Sequence, residues 1–187
     1  MGLDIFLSTN NDALYLRSNY DSLRKHGLSR TFCNLMCRQN IIVDEDPELD
    51  QIGTITGVDV SDIYNMNNYP DENQMEFFLM GTESEMEKKA IIDKAETDRQ
   101  AFKDNIEEVT NTINNLIAKL SQIDNLPLLF AQTEWDTLDR DIYFKDFNSD
   151  TGDGYIGNNF GRDLRNFKNF LDFVKGKGAS VVYFIYG

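Results

Sequence analysis

The sequence predicts an α+β fold: a small mixed sheet that includes the N- and C-terminal strands, packed with helices, one of them long and heptad-patterned over about residues 84–123. Three observations carry that expectation. Residues 84–123 contain no Gly or Pro, and from Ile92 onward Ile92, Ala95, Phe102, Ile106, Val109, Ile113, Leu116, Leu120 and Ile123 step by three and four, with Arg99 in the one vacant slot. Two helical turns advance about seven residues, so each of these side chains returns to one narrow seam. Phe160, Leu164, Phe167, Leu171 and Val174 repeat that spacing and predict a second amphipathic helix. Residues 179–186 form an almost unbroken apolar run, rich in β-branched and aromatic side chains, which reads as a strand buried on both faces.

From the N-terminus, Ile5 and Phe6 centre a first strand over residues 3–7, and Ser8, Thr9, Asn10 and Asn11 turn the chain. Asn11 or Asp12 then caps a helix to about Lys25, with Leu14, Leu16, Tyr20 and Leu23 on its apolar face and Gly27 as its stop. Ser29 caps the next helix, which buries Phe32, Cys33, Leu35, Met36 and Cys37 before Gln39 and Asn40. Ile41, Ile42 and Val43 read as a short strand, broken by the acidic run that follows. Residues 48–69 interleave Ile52, Ile55 and Val58 with Gly and Thr, which predicts short pieces with little regular structure. Residues 74–80 fit a strand or the approach to the long helix, and Gly81 with Thr82 or Ser84 supplies that helix's cap. Beyond it, residues 128–130 and 142–144 read as strands with the single Trp135 between them.

As one straight helix at 1.5 Å per residue, residues 84–123 would measure about 60 Å, against a diameter of roughly 40 Å for a compact chain of this size. The stretch must therefore bend or break, protrude, or pack on a second copy of itself. The polar patches Thr97 to Arg99 and Thr110 to Thr112 are the expected weak points. An intramolecular bundle helix is the plain reading, and self-association through Ile106, Val109, Ile113 and Leu116 the sharper one.

The chain has 187 residues, 41% of them hydrophobic, with 13 Phe and 8 Tyr, enough for one sizeable core and hence a single α+β domain over residues 1–187. It holds no apolar run of about eighteen residues, its start lacks the features of a secretory signal, and Phe6 stands where myristoylation wants Ser or Thr. A cytoplasmic protein without a membrane partner is expected. The two cysteines, Cys33 and Cys37, lie one helical turn apart, and with His26 nearby they still fall short of a metal set; buried thiols in a reducing compartment fit them best. The net charge is −14, and residues 41–100 alone hold sixteen acids against four bases. Such a surface repels phosphate and argues against direct nucleic-acid binding. It suits plain solubility, or attraction to a basic protein. The single basic concentration is Arg24, Lys25, His26 and Arg30, with Arg17 and Arg38 nearby.

The richest local constellation runs over residues 146–157, with Asp146, Asn148, Asp150 and Asp153 on a stretch that also holds Gly152, Gly154 and Gly157. Alternating oxygen-bearing side chains on a glycine-rich loop are what a hard cation such as Ca²⁺ needs. Over these twelve residues alone the stretch resembles an EF-hand-type calcium loop. In one register Thr151 sits where Gly is wanted and Gly157 replaces the bidentate Glu; in the other, Ser149 and Thr151 become early ligands and Phe160 ends the loop. An ordinary Gly/Asp turn feeding the Phe160 helix competes with the metal reading and leads it. With His26 as the only histidine, a nucleophile-and-base pair would have to use it, and its place before Gly27 reads as a helix end. Gly152, Gly154 and Gly157 match GxGxxG in letters, but no buried strand precedes them and their acidic neighbours would repel phosphate. The leading expectation is a non-catalytic protein-interaction module, with protein partners that include a second copy. The alternatives are a metal-assisted hydrolase using residues 146–154 and an acidic inhibitor of a basic or nucleic-acid-binding protein.

Overall fold

The computed structural model describes residues 4–16, 23, 25–40, 45–131 and 138–187. The strand expected at residues 41–43, half of the helix expected from residue 12 to 25, and Trp135 lie outside the described residues.

The fold is α+β: a two-stranded antiparallel sheet joins the beginning and end of the chain, and helices fill the rest. Strand β1 (Ile5–Thr9) pairs with β2 (Val182–Tyr186) in the register Ile5↔Tyr186 to Thr9↔Val182. Asp4 and Gly187 exchange backbone bonds at 2.9 and 3.1 Å and extend the ladder at one end. At the other, Asn10 Oδ1 accepts from the Ser180 and Val181 amides at 3.3 and 3.1 Å. The strands expected at the two termini thus pair with each other, but β2 is not buried on both faces: Val182 and Phe184 are buried and Tyr183, Ile185 and Tyr186 half-buried.

After a 3-10 turn at Asp12–Tyr15, capped by Asn11, helix α1 (Arg30–Cys37) starts at Ser29, whose Oγ accepts the Phe32 amide. Helices α2 (Glu48–Thr56) and α3 (Ser61–Asn65) then occupy residues where little regular structure is expected. The reason is that most of α2's buried face is polar. Glu48, Gln51 and Thr56 are buried beside Leu49 and Ile52. The Glu48 carboxylate takes Arg38 Nε at 2.5 Å and Arg140 Nε at 2.8 Å, so a charge that hydropathy reads as surface is neutralised inside. Gly57 ends the helix in the left-handed region at φ 69°.

Residues 74–80 are helical, within α4 (Glu72–Met80), which Asp71 caps. The long stretch does not run through. It divides into α5 (Glu85–Ala101), capped by Ser84 as its sequence predicts, and α6 (Ile106–Leu120). The break falls at residues 102–105 and not in either polar patch. Thr110 and Thr112 instead sit inside α6, bonded to Ile106 O and to Asp62. Two tertiary contacts locate the break. Phe102 meets the edge of Tyr69 at 5.4 Å, and the Asn105 amide clasps the backbone of Val182, donating to its O at 2.8 Å and accepting from its N at 2.9 Å. Asp104, at φ 62°, makes the turn between them.

The two remaining strand candidates are helical. Residues 128 and 129 belong to a 3-10 turn, Leu126–Leu129, where Pro127 suits the first turn and which Phe130 leaves in extended conformation, and residues 142–144 to α7 (Arg140–Tyr143) and its end, with Asp139 as cap. Leu128 and Ile142 are 78% and 70% exposed, whereas Tyr143 and Phe144 are buried in the core from the helical turn and its end. Helix α8 (Phe160–Lys175) forms as its spacing predicts and buries Phe160, Leu164, Phe167, Phe170, Leu171 and Val174. It packs on α6, and Phe167 joins Phe32 and Phe184 in an aromatic triangle under the sheet. No helix among the described residues is long and apolar enough to cross a membrane.

Candidate functional site

The four side chains of the carboxylate loop do not converge. Asp146 occupies the left-handed region at φ 49°, and Asn148 Nδ2 donates to Ser121 O at 2.9 Å. Asp150 accepts from Arg165 Nε at 2.7 Å. Asp153 Oδ1 accepts the Ile156 and Tyr155 amides at 2.7 and 2.9 Å, bonds that hold its carboxyl below the ordinary 3.8. The side chains of Asn148, Asp150 and Asp153 thus each serve a different neighbour, and no set of three His, Cys, Asp or Glu among the described residues is placed to hold a metal ion.

What organises the loop is the pair of asparagines that follows it. Asn159 Nδ2 donates to the carbonyls of Ser149, Asp146 and Lys145 at 2.7, 2.9 and 3.3 Å, while its Oδ1 caps α8 at the Arg162 amide. Asn158 Oδ1 accepts the Gly154 amide. Two glycines are required by close approach. A Cβ on Gly152 would meet the Gly157 and Asn158 backbone at 2.4 Å, and one on Gly161 would meet Phe147 O at 1.9 Å. These contacts make the stretch a clasp on the start of α8.

Beneath the clasp lies a polar centre that sequence reasoning misses. Asp163 is sealed from solvent and accepts four bonds: Oδ1 from Ser29 N at 3.1 Å and Asn158 Nδ2 at 2.8 Å, Oδ2 from Ser29 Oγ at 2.6 Å and Tyr143 Oη at 2.8 Å. Burial outweighs these donors and pushes the carboxyl above 3.8. Burial likewise drives the Tyr143 hydroxyl well above 10.0, with the Asp163 charge adding to it. The centre ties α1, α7, the clasp and α8 together. Ser29 is itself buried and without an imidazole among its bonded partners, so the Ser29–Asp163 contact is a tether and not a nucleophile with its base. Its partners are scattered over more than a hundred residues of sequence, and no local pattern marks them.

The remaining chemical candidates are structural as well. Cys33 is buried, its thiol pushed up to about 12 by burial and then by Cys37, and both cysteines are free. His26 lies against the Phe173 ring at 6.2 Å, and partial burial, with Lys25 second, lowers its pKa below 6.5. The basic concentration divides: Arg30 pairs with Asp4 at the surface, Arg38 turns inward to Glu48, and Arg17 and Arg24 lie outside the described residues.

One region remains that contributes almost nothing to the interior. Helix α4 buries no residue, and α5 buries only Ala95. On this α4–α5 hairpin Phe77, Met80 and Met86 are 71%, 76% and 81% exposed, and Phe78 and Ile92 are exposed beside them. The hairpin is moored at its base, where Arg99 donates twice to Pro70 O at 2.9 and 3.1 Å and Phe102 meets Tyr69. Between hairpin and body opens a cleft of about 660 Å³, whose lining includes Asp62, Asn68, Phe78, Asp98, Phe102 and Glu108. The seam residues named for self-association are elsewhere: Ile106, Val109, Ile113 and Leu116 are buried in the chain's own core.

Comparison with models of protein families, with curated proteins and with solved structures finds no match for this chain.

Proposed function

We propose that the chain is a non-catalytic protein-interaction module and that the α4–α5 hairpin is its docking element. The observation that carries this reading is the contrast in burial. Two helices of 9 and 17 residues bury a single alanine yet expose five large apolar side chains, while α6 and α8 seal theirs in the core. Helices of this length draw most of their stability from a packed face, and an exposed contiguous apolar patch marks a surface that another protein covers. The hydrolase reading finds no support in the carboxylate loop, whose Asp146, Asn148, Asp150 and Asp153 serve the clasp and its neighbours.

A photo-crosslinking residue placed at Phe77 or Met80, and in a control at the equally exposed Leu128, tests the docking element in the protein's own cell. The hairpin positions are expected to give an adduct of defined mass that Met86→Glu abolishes, and Leu128 none. Adducts absent at the hairpin, or equal at all three positions, would remove it as the docking element.

A further inference from the structure

We infer that the partner of the hairpin is a basic polypeptide segment, which places a cationic side chain in the cleft between hairpin and body and its apolar side chains against Phe77 and Met80. This rests on the docking reading above and adds the chemistry of the occupant. Three acids line the cleft, Asp62, Asp98 and Glu108, against one base, Lys94. Lys94 already pairs with Asp98. Asp62 and Glu108 have no cationic partner among the described residues, and Asp62 is held in place by the Thr112 hydroxyl at 3.0 Å. Phe78 forms part of the wall, an aromatic face toward which a guanidinium or ammonium is drawn. Its ring lies 6.1 Å from that of Phe77, so the charged cleft is continuous with the apolar surface outside it. An occupant matched to both must carry positive charge and apolar side chains together.

Charge decides between this partner and a second copy. Residues 72–101 hold eight acids against four bases on a chain of net charge −14, so a second hairpin would bring like charge to the cleft. The same repulsion turns away nucleic acid.

The probe is a fluorescein-labelled amphipathic helical peptide of Arg, Leu and Ala, followed by anisotropy with the intact protein, beside a control peptide with Glu in place of every Arg. The Arg peptide is expected to bind, less tightly as salt rises, and the Glu peptide not to bind. The double variant Asp62→Asn/Glu108→Gln, which keeps the acceptor for Thr112, is expected to weaken binding roughly tenfold. Asp124→Asn/Asp141→Asn changes the net charge equally, away from the cleft, and is expected to change affinity less than about twofold. Equal weakening by both double variants would overturn the inference, because the whole acidic surface and not the cleft would then attract the peptide. So would binding of the Glu peptide, failure of the Arg peptide to bind, or a light-scattering mass of two copies that Met80→Glu returns to one. If the peptide experiment fails while Phe77 still crosslinks to another protein, the basic occupant is wrong and the docking element stands; if both fail, both fall.

Discussion

Replacing Asp163 is the most demanding test of how the two halves of the chain are joined. In Asp163→Ala four donors lose their acceptor at once: the Ser29 amide, the Ser29 and Tyr143 hydroxyls and the Asn158 side-chain amide. Each buried donor left unpaired costs about 1–3 kcal/mol, and a water admitted to the space recovers part of that. A net loss of about 5 kcal/mol is expected, comparable with the whole stability of an ordinary domain. Asp163→Asn keeps one acceptor oxygen, and the two hydroxyls can turn to accept from its amide, so about 1–2 kcal/mol is expected there. The pH dependence has a definite sign. The native carboxyl lies above 3.8, so protons bind more tightly to the folded chain. Its contribution is therefore full below 3.8 and is lost as pH rises through the raised native pKa. Urea unfolding followed by far-UV circular dichroism, from about pH 3.5 to about pH 7, should show wild type losing ground to Asp163→Asn as pH rises. An Asp163→Ala protein within about 1 kcal/mol of wild type, or the opposite slope, would refute the reasoning.

Ile113→Asp should leave no folded protein in a urea titration, at a cost above about 4 kcal/mol, because Ile113 is wholly buried, whereas Ile92→Asp, on the exposed half of the same seam, should change stability by about 0.5 kcal/mol or less. Gly161→Ala should cost at least about 2 kcal/mol in the same assay through its collision with Phe147 O, while Gly81→Ala, with nothing within 4 Å, should be near neutral. Asn105→Ala orphans the buried Val182 N–H and C=O, so a loss of about 2–4 kcal/mol and faster hydrogen exchange at the Val182 amide are expected. Calorimetric titration with Ca²⁺ should give no saturable heat at micromolar concentrations, since Asp150 would have to leave Arg165 and Asp153 its two amides; a saturable heat abolished by Asp150→Ala would revive the metal reading.

The elements legible in the sequence are those whose cause is local. Ser29 and Ser84 begin helices because a hydroxyl accepts a nearby amide, and the Phe160 helix follows from a stripe that is apolar throughout. The elements that escape a sequence reading have distant causes. Helix α2 is hidden because Arg38 and Arg140 make a buried site for Glu48, and Gln51 is held by the Asp46 carbonyl and the Ala131 amide. Hydrophobic periodicity has no means of counting a polar side chain as interior. The triplets at 128–130 and 142–144 have strand composition, but three residues cannot distinguish a strand from a helical turn. At the candidate site the glycines and acids of residues 146–157 are visible as a turn, whereas the Asp163 centre needs Ser29 and Tyr143 to arrive from other parts of the chain.

The divided seam carries the same distinction into function. Residues 92–123 keep one spacing on both sides of the break, yet Ile106, Val109, Ile113 and Leu116 are sealed against the chain's own core while Ile92 is exposed. Periodicity therefore reports that a face is suited to being covered and leaves open what covers it. In α6 the cover is intramolecular, supplied in part by α8. In α5 it reaches only Ala95 among the described residues, and α4 adds Phe77, Phe78 and Met80 to the uncovered surface without burying any residue of its own. A hairpin that served only as a spacer would be polar all round, since exposed apolar side chains add nothing to its solubility or its own packing. The acids interspersed along it offset that cost in free solution, and one of them, Asp98, lines the cleft together with Asp62 and Glu108 of the body.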